Sequence, residues 1–355
     1  MERIFCGVDF HKNESVICAL YQDGSAVEGI RTIKSSKLVE YFSNKGNWEI
    51  GIEASGGTND MVTRLRALGL TVKLINSNKF RGIGIGGKKT DQRDAKALAE
   101  CLRVGFAPEV FVRSPYARQL KSLIVSREMF LRSRVNMMNH IRGTLKEYGV
   151  VMPVGPEKFF IEVGQKVAGL ENAFIRGSLE EMLSLIRDLL EKQKSMETRI
   201  KEVCINDARI ERLKSIPGVG DLVSTMTLAV VDDIKRFKNA REFSSYLGLV
   251  PKVHASANVR MMGSITRSGS EILRRYLIHG ARAWMRYDAK GDSNREWAEK
   301  IKERRGMNKA IVALAHRMAR IIFAVLRDES FYRGKKKKKH QAGSVVTSVT
   351  SGSAA

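Results

Sequence analysis

Proline occurs only 6 times in 355 residues. With so few chain breakers and 43% hydrophobic residues, global disorder is excluded, and the length suggests two or three domains with sizeable cores. Cysteine is equally sparse. Cys6, Cys18, Cys101 and Cys204 stand far apart with no CxxC, and the 6 histidines form no HExxH or zinc-finger spacing, so neither a disulfide framework nor structural zinc is expected. No apolar run approaches the roughly 18 to 20 residues of a membrane span, and the opening MERIFCGVDF lacks the build of a signal peptide. A soluble, cytoplasmic protein with no membrane association is the expectation. Acidic residues are the most telling shortage: 38 Asp and Glu face 62 Lys and Arg, for a formal charge of +24. A surface of that sign attracts a polyanion and releases its counterions, which makes nucleic acid the default partner. Arg333 and Lys335 to Lys339 supply six of those charges, leaving +18 for the rest, so the basic character is not confined to the tail.

What is present has a clear order. Arg3 to Asp9, Ser15 to Tyr21 and Ala26 to Ile33 read as three antiparallel strands; Lys37 to Lys45 reads as a helix, Glu49 to Glu53 as a strand, Asn59 to Leu68 as a helix and Thr71 to Ile75 as a strand. Three antiparallel strands followed by β-α-β units describe a mixed sheet covered by helices, the order of ribonuclease-H-like folds. Gly82 to Gly87 reads as a flexible loop, after which Thr90 caps a helix from Asp91 to about Val104. A long helix follows Pro115. Leu179, Met182, Ile186, Leu189, Met196, Ile200 and Val203 then form a heptad stripe, interrupted at Gln193, that suits either a coiled coil between chains or a helical hairpin with the Pro115 helix. Helices over Asp221 to Val230, Ala240 to Leu247, Glu271 to Trp284 and Asn308 to Leu326 make the rest mostly helical, with a Gly-, Ser- and Arg-rich loop from Gly248 to Gly269 and a disordered tail from Arg333.

Four carboxylates stand out by position. Asp9 ends the first strand, Glu53 ends the fourth, and Asp91 and Asp94 open a helix three residues apart, on one face. Singly, each reads as a surface group or a helix cap. If the first and fourth strands are neighbours the four converge, and carboxylates that close repel one another unless a divalent cation lies between them, with oxygen ligands selecting Mg²⁺ or Mn²⁺. Such a site can clamp a phosphodiester.

Two further segments suit phosphate. Ser215 to Gly220, SIPGVG, is a tight turn whose Gly218 and Gly220 can present backbone N–H groups at a helix N-terminus, and it reads equally as a plain turn and cap. In the Gly248 to Arg275 stretch, Ser256 lies among Arg260, Arg267, Arg274 and Arg275, cations able to stabilise charge on a phosphorane-like transition state. Lys88, Lys89 and Arg93, beside the second pair of acids, join these as candidate nucleic-acid contacts. No His or Asp at fixed spacing points to a hydrolase triad.

GVDFHK, GIEASGG, KKTDQRDAKALAE, IPGVG, F-x-x-YLGLVP, ITRSG and LRRYL, matched in this order, resemble one family: the DEDD-type transposases of bacterial insertion sequences grouped under the numbers one hundred and ten and eleven hundred and eleven, with the related site-specific DNA invertases. The resemblance covers about residues 3 to 327. It implies a RuvC-like DEDD domain over residues 1–112, a helical coiled-coil linker over 113–208, a mostly helical transposase domain over 209–330 and a basic tail over 331–355. By motif position the family's nucleophilic serine maps onto Ser256, in a slot that reads ASA here in place of ESG or SSG, with Ser264 and Ser268 as weaker candidates. The carboxylates Asp9, Glu53, Asp91 and Asp94 would hold Mg²⁺ (or Mn²⁺). The resemblance also implies a structured guide RNA (bridge or seek RNA) that pairs with donor and target DNA, self-association as a dimer and a tetramer at the synapse, and action at the bacterial nucleoid. Other readings of the same residues are a metal-only nuclease resembling a Holliday-junction resolvase and a non-catalytic nucleic-acid packaging protein.

Overall fold

The computed structural model describes residues 2–76, 90–256, 259–286 and 292–334, with backbone alone for residues 254–256, 259 and 260. The expected glycine loop, Lys88, Lys89 and the lysine run from Lys335 lie outside the described residues. The chain divides into two compact units, Met1–Ser114 and Pro115–Ala355.

The first unit is built on strands β1 (Ile4–Phe10), β2 (Glu14–Leu20), β3 (Ala26–Lys34), β4 (Trp48–Glu53) and β5 (Thr71–Ile75), with helices α1 (Leu38–Phe42), α2 (Thr58–Ala67) and α3 (Asp91–Arg103). Their order in the sheet is β3-β2-β1-β4-β5, β1 running antiparallel to β2 and parallel to β4. This is the mixed, ribonuclease-H-like sheet expected. Side chains alternate across it as a pleated strand requires. Ile4, Cys6 and Val8 of β1 and Ile50 and Ile52 of β4 pack with Leu38, Phe42, Met61, Val62 and Leu65 of α1 and α2. The opposite face, with Phe5 and Ile75, is covered by Leu98, Cys101 and Leu102 of α3.

Glycine lets α3 lie close. A Cβ on Gly7 would stand 2.0 Å from the Ala95 carbonyl oxygen and 2.5 Å from the Ala99 amide nitrogen. Ala95 and Ala99, one turn apart, are fully buried there. Only the pairing of small residues on both elements allows the backbone of a helix to touch a strand.

The second unit opens with α4 (Pro115–Glu147), α5 (Pro156–Ala168) and α6 (Ala173–Cys204), then α7 (Ala208–Lys214), α8 (Asp221–Val231) and α9 (Ala240–Tyr246), the hairpin β6 (Pro251–Ser256) and β7 (Val259–Ile265), and α10 (Glu271–Arg286), α11 (Ser293–Arg305) and α12 (Met307–Arg327). The hydroxyl of Tyr116 donates to Asp207 and Arg127 to Glu197, so α4 and α6 run antiparallel. The heptad stripe therefore has a partner inside the chain: Leu179 and Ile186, with Met182 packed against them, share a core with Ile141 and Leu145 of α4 and Phe159 of α5. Its other end, Ile200 and Cys204, joins Leu120 and Ile124 in the large core formed with α8, α10 and α12. At the interrupted position Gln193 donates to Glu197, so the missed apolar slot is a polar layer.

The Gly248 to Gly269 stretch corrects the expectation of a loop. It forms the antiparallel pair β6 and β7, with Ser256 opposite Val259 at the closed end. Among the side chains described there, Val253, Met261 and Met262 are exposed, so these apolar residues mark no buried face by which a strand is read from sequence. None of the helices among the described residues is long and apolar enough to cross a membrane.

Candidate active site

Asp9 and Glu53 stand at the same end of adjacent parallel strands, since Val8 pairs with Ile52 one residue earlier in each. By the strand period both fall on the face that α3 covers, with Phe5, Gly7 and Gly51. Helix α3 begins there. Thr90 is its N-cap, in extended conformation, and its hydroxyl accepts from the Arg93 amide at 3.4 Å. Asp91 and Asp94 occupy the first turn, Asp91 one turn before the Ala95 that rests on Gly7 and Asp94 next to it.

The sheet and this helix thus bring the four predicted acids into one electrostatic group. Asp9 is 5% exposed. Burial pushes its carboxyl above the ordinary range; His11 pulls it back, and the charges of Asp91, Asp94 and Glu53 push it up again. His11 is the residue sequence reasoning missed: its Nε2 lies 3.3 Å from Asp9 Oδ2 and 3.6 Å from Asp91 Oδ2. One ligand atom from each of Asp9, His11 and Asp91 can be chosen so that all lie within 4.8 Å of one another, a spacing suited to one metal ion. The signal was present in GVDFHK as a histidine two residues past the strand-end aspartate. A buried carboxylate whose negative neighbours raise its pKa is the environment a hard divalent cation relieves, and the oxygen donors suit such an ion.

The remaining candidates lie in the second unit. The main chain places Ser256 at the tip of the β6–β7 hairpin and Arg260 opposite Ala255. At the base of the hairpin YLGLVP and ITRSG form a clasp. Gly248 (φ +69°) and Gly269 (φ +71°) adopt left-handed backbone, where Cβ atoms would come 2.3 Å from the Ser268 carbonyl oxygen and 2.1 Å from that of Tyr246. Arg274 is buried, and its Nη1 donates to the carbonyls of Ser268 (2.7 Å) and Leu247 (3.4 Å). Ser268 donates to the Ser245 carbonyl, while Ser264 is exposed on β7. Arg267 is exposed with φ +59°. Arg275 pairs with the buried Glu128, which also accepts from Tyr276 and Arg127. Arg274 and Arg275 therefore direct donors at the protein itself.

Gly218 and Gly220 join α7 to α8. Gly218 has φ +80°, and a Cβ there would meet the Gly280 carbonyl oxygen at 2.1 Å, so this glycine is required by contact with α10. Gly220 precedes the first turn of α8, where Lys214 pairs with Asp221 at 3.1 Å.

Comparison with known proteins adds the decisive observation. Over 335 residues the sequence is 32% identical to the transposase for insertion sequence element IS1111A of Coxiella burnetii, covering 92% of this chain and 90% of that protein. The chain belongs to the IS110/IS116 family of DEDD transposases. A family model described as a transposase, of the DEDD type, matches residues 6–150, and that of the IS116/IS110/IS902 transposase family matches residues 210–296. A probable family 20 transposase of Pseudomonas aeruginosa is 31% identical over 92% of this chain and 94% of its own. The transposase for insertion sequence element IS1328 of Yersinia enterocolitica is 26% identical over 90% of this chain and 95% of its own. This transposase is an enzyme of DNA strand transfer, and DNA is its substrate. The matched segment 6–150 contains Asp9, Glu53, Asp91 and Asp94, and 210–296 contains the SIPGVG turn, the hairpin and its clasp.

Proposed function

We propose that this transposase is an RNA-guided DNA recombinase that moves an insertion sequence by cutting, exchanging and rejoining strands, with Ser256 as nucleophile and Asp9, Glu53, Asp91 and Asp94 as ligands of Mg²⁺ (or Mn²⁺). The observation that carries it is the convergence of the ends of β1 and β4 with the first turn of α3, which assembles carboxylates whose mutual repulsion a divalent cation would relieve. A divalent cation held there would neutralise the charge of a bound phosphodiester. The Ser256 oxygen would attack phosphorus, forming a phosphoserine ester while the bond to one deoxyribose oxygen breaks and the hydroxyl proton passes to the departing alkoxide through water. The reverse exchange with a second strand end would rejoin DNA without loss of bond energy.

Residues 1–112 would form the metal-binding domain, 113–208 the helical and coiled-coil linker, and 209–330 the domain that carries the serine. Carboxylates of one subunit would meet the serine of another in a composite site, which requires a dimer and a tetramer at the synapse. Exposed apolar residues at the far end of the α4–α6 arm, Val151, Val154, Ile161 and Phe174, supply surface for self-association. The formal charge of +24 supports binding of two DNA duplexes and a folded guide RNA, with sequence choice delegated to base pairing. Lys88, Lys89, Arg93, Gly218, Gly220, Arg260 and Arg267 would contact phosphates, while Arg274 would act from within the clasp and Arg275 from beside Glu128. The enzyme would work in the bacterial cytoplasm, at the nucleoid.

The test is a denaturing gel of protein incubated with labelled DNA, guide RNA and Mg²⁺. A covalent adduct that disappears in Ser256→Ala and on removal of metal is expected. Cutting without an adduct would replace this reading with a metal-only nuclease, and an adduct retained by Ser256→Ala would move the nucleophile elsewhere, first to Ser264 or Ser268.

A further inference from the structure

One histidine stands inside the carboxylate group without a part in the chemistry described above. His11 follows directly after β1, and its main chain is anchored: the Ser35 hydroxyl donates to the His11 carbonyl at 2.7 Å and lies 2.7 Å from the hydroxyl of Ser15. Both serines are buried. The imidazole, half exposed, is thereby held over the end of the sheet, with Nε2 at 3.3 Å from Asp9 Oδ2 and 3.6 Å from Asp91 Oδ2. Two ligands at right angles on one ion, each about 2.1 Å from it, lie roughly 3 Å apart. The three groups are close to the separation that neighbours in one coordination shell require.

We propose that His11 is a nitrogen ligand of the same cation and that the site consequently selects Mn²⁺ over Mg²⁺. The inference rests on the carboxylate-metal reading of Asp9, Glu53, Asp91 and Asp94. Mg²⁺ prefers oxygen and water, whereas an imidazole nitrogen strengthens binding of a first-row transition ion, so a mixed site discriminates where four carboxylates alone discriminate less. The opposing account is that His11 only hydrogen-bonds Asp9 and never touches a metal.

The experiment uses the full chain without nucleic acid. Mn²⁺ and Mg²⁺ are titrated calorimetrically into the wild type, His11→Ala, His11→Asn and Asp94→Asn, and the Mn²⁺ complexes are examined by pulsed electron paramagnetic resonance for ¹⁴N modulation from a coordinated imidazole. The wild type is expected to bind Mn²⁺ more tightly than Mg²⁺ and to show the modulation. Both His11 variants should lose it and weaken Mn²⁺ at least about tenfold, the low end of what even an outer-shell partner costs, while Mg²⁺ binding moves little. Because the side chain is half exposed, the fold should survive, and circular dichroism checks this. Unchanged Mn²⁺ affinity in the His11 variants, or absence of nitrogen modulation in the wild type, overturns the proposal. Unchanged affinity in Asp94→Asn as well would overturn the carboxylate reading beneath it.

Discussion

Asp9 is buried at the end of a central strand and shares its surroundings with three other carboxylates. Its folded-state pKa is raised, so the ionised form is disfavoured in the fold relative to the unfolded chain, where Asp titrates near about 4. In chelator, this group therefore lowers stability as pH climbs from the ordinary Asp range through the raised folded value, and the loss persists above it. Asp9→Asn removes the charge at constant shape. We predict that the variant melts higher than the wild type in chelator at neutral pH, loses strand transfer, and is stabilised less than the wild type by added Mn²⁺. A lower melting temperature for the variant in chelator would contradict this account of the burial.

Between elements, the contact that organises the site is backbone on backbone. Gly7 lies under Ala95 and Ala99, and this contact sets where the first turn of α3, with Asp91 and Asp94, meets the end of β1. Gly7→Val has nowhere to put its side chain. The helix must lift from the sheet, at a cost of about 1 to 3 kcal/mol for overpacking, and its first turn must move with it. Urea denaturation should show that loss, and strand transfer should fall further than the stability loss explains because the ligands no longer converge. A variant with wild-type denaturation would show that α3 does not depend on this contact.

For the whole molecule, charge and self-association are the testable properties. Deleting residues 335–355 removes five lysines and no acid. If those lysines contact phosphate, the dependence of log K on log salt for duplex DNA should flatten by up to about 4.5, at roughly 0.9 per contact. An unchanged slope would mean that the tail does not touch DNA. The heptad stripe, in contrast, is occupied inside the chain by α4 and α5. Charging the exposed end of the arm, with Val154→Asp and Phe174→Asp together, is therefore expected to reduce the sedimenting mass without loss of helix content. A mass that stays the same would place self-association on another surface.

Much of this was legible in the residues alone. Short apolar runs bounded by turn residues identified all five strands of the first unit, and the acids at the ends of β1 and β4 and in the first turn of α3 followed from where those elements stop and start. Local periodicity records which face of an element is apolar, so element type and the position of a strand-end carboxylate are local properties. Helices α5 and α11 escaped: α11 buries only Asn294 and Ala298, and apart from Trp297 and Ile301 the rest of it is polar, too little for a stripe to read. The β6–β7 ribbon escaped because its apolar Val253, Met261 and Met262 are exposed, and His11 because a lone imidazole has no spacing partner in sequence. Which surfaces meet was decided by the tertiary structure. The close seat of α3 on Gly7, the pairing of the heptad stripe with α4, and the turn of Arg274 toward two carbonyls all join residues far apart in the chain, and contacts of that kind depend on complementary shape that no local pattern encodes.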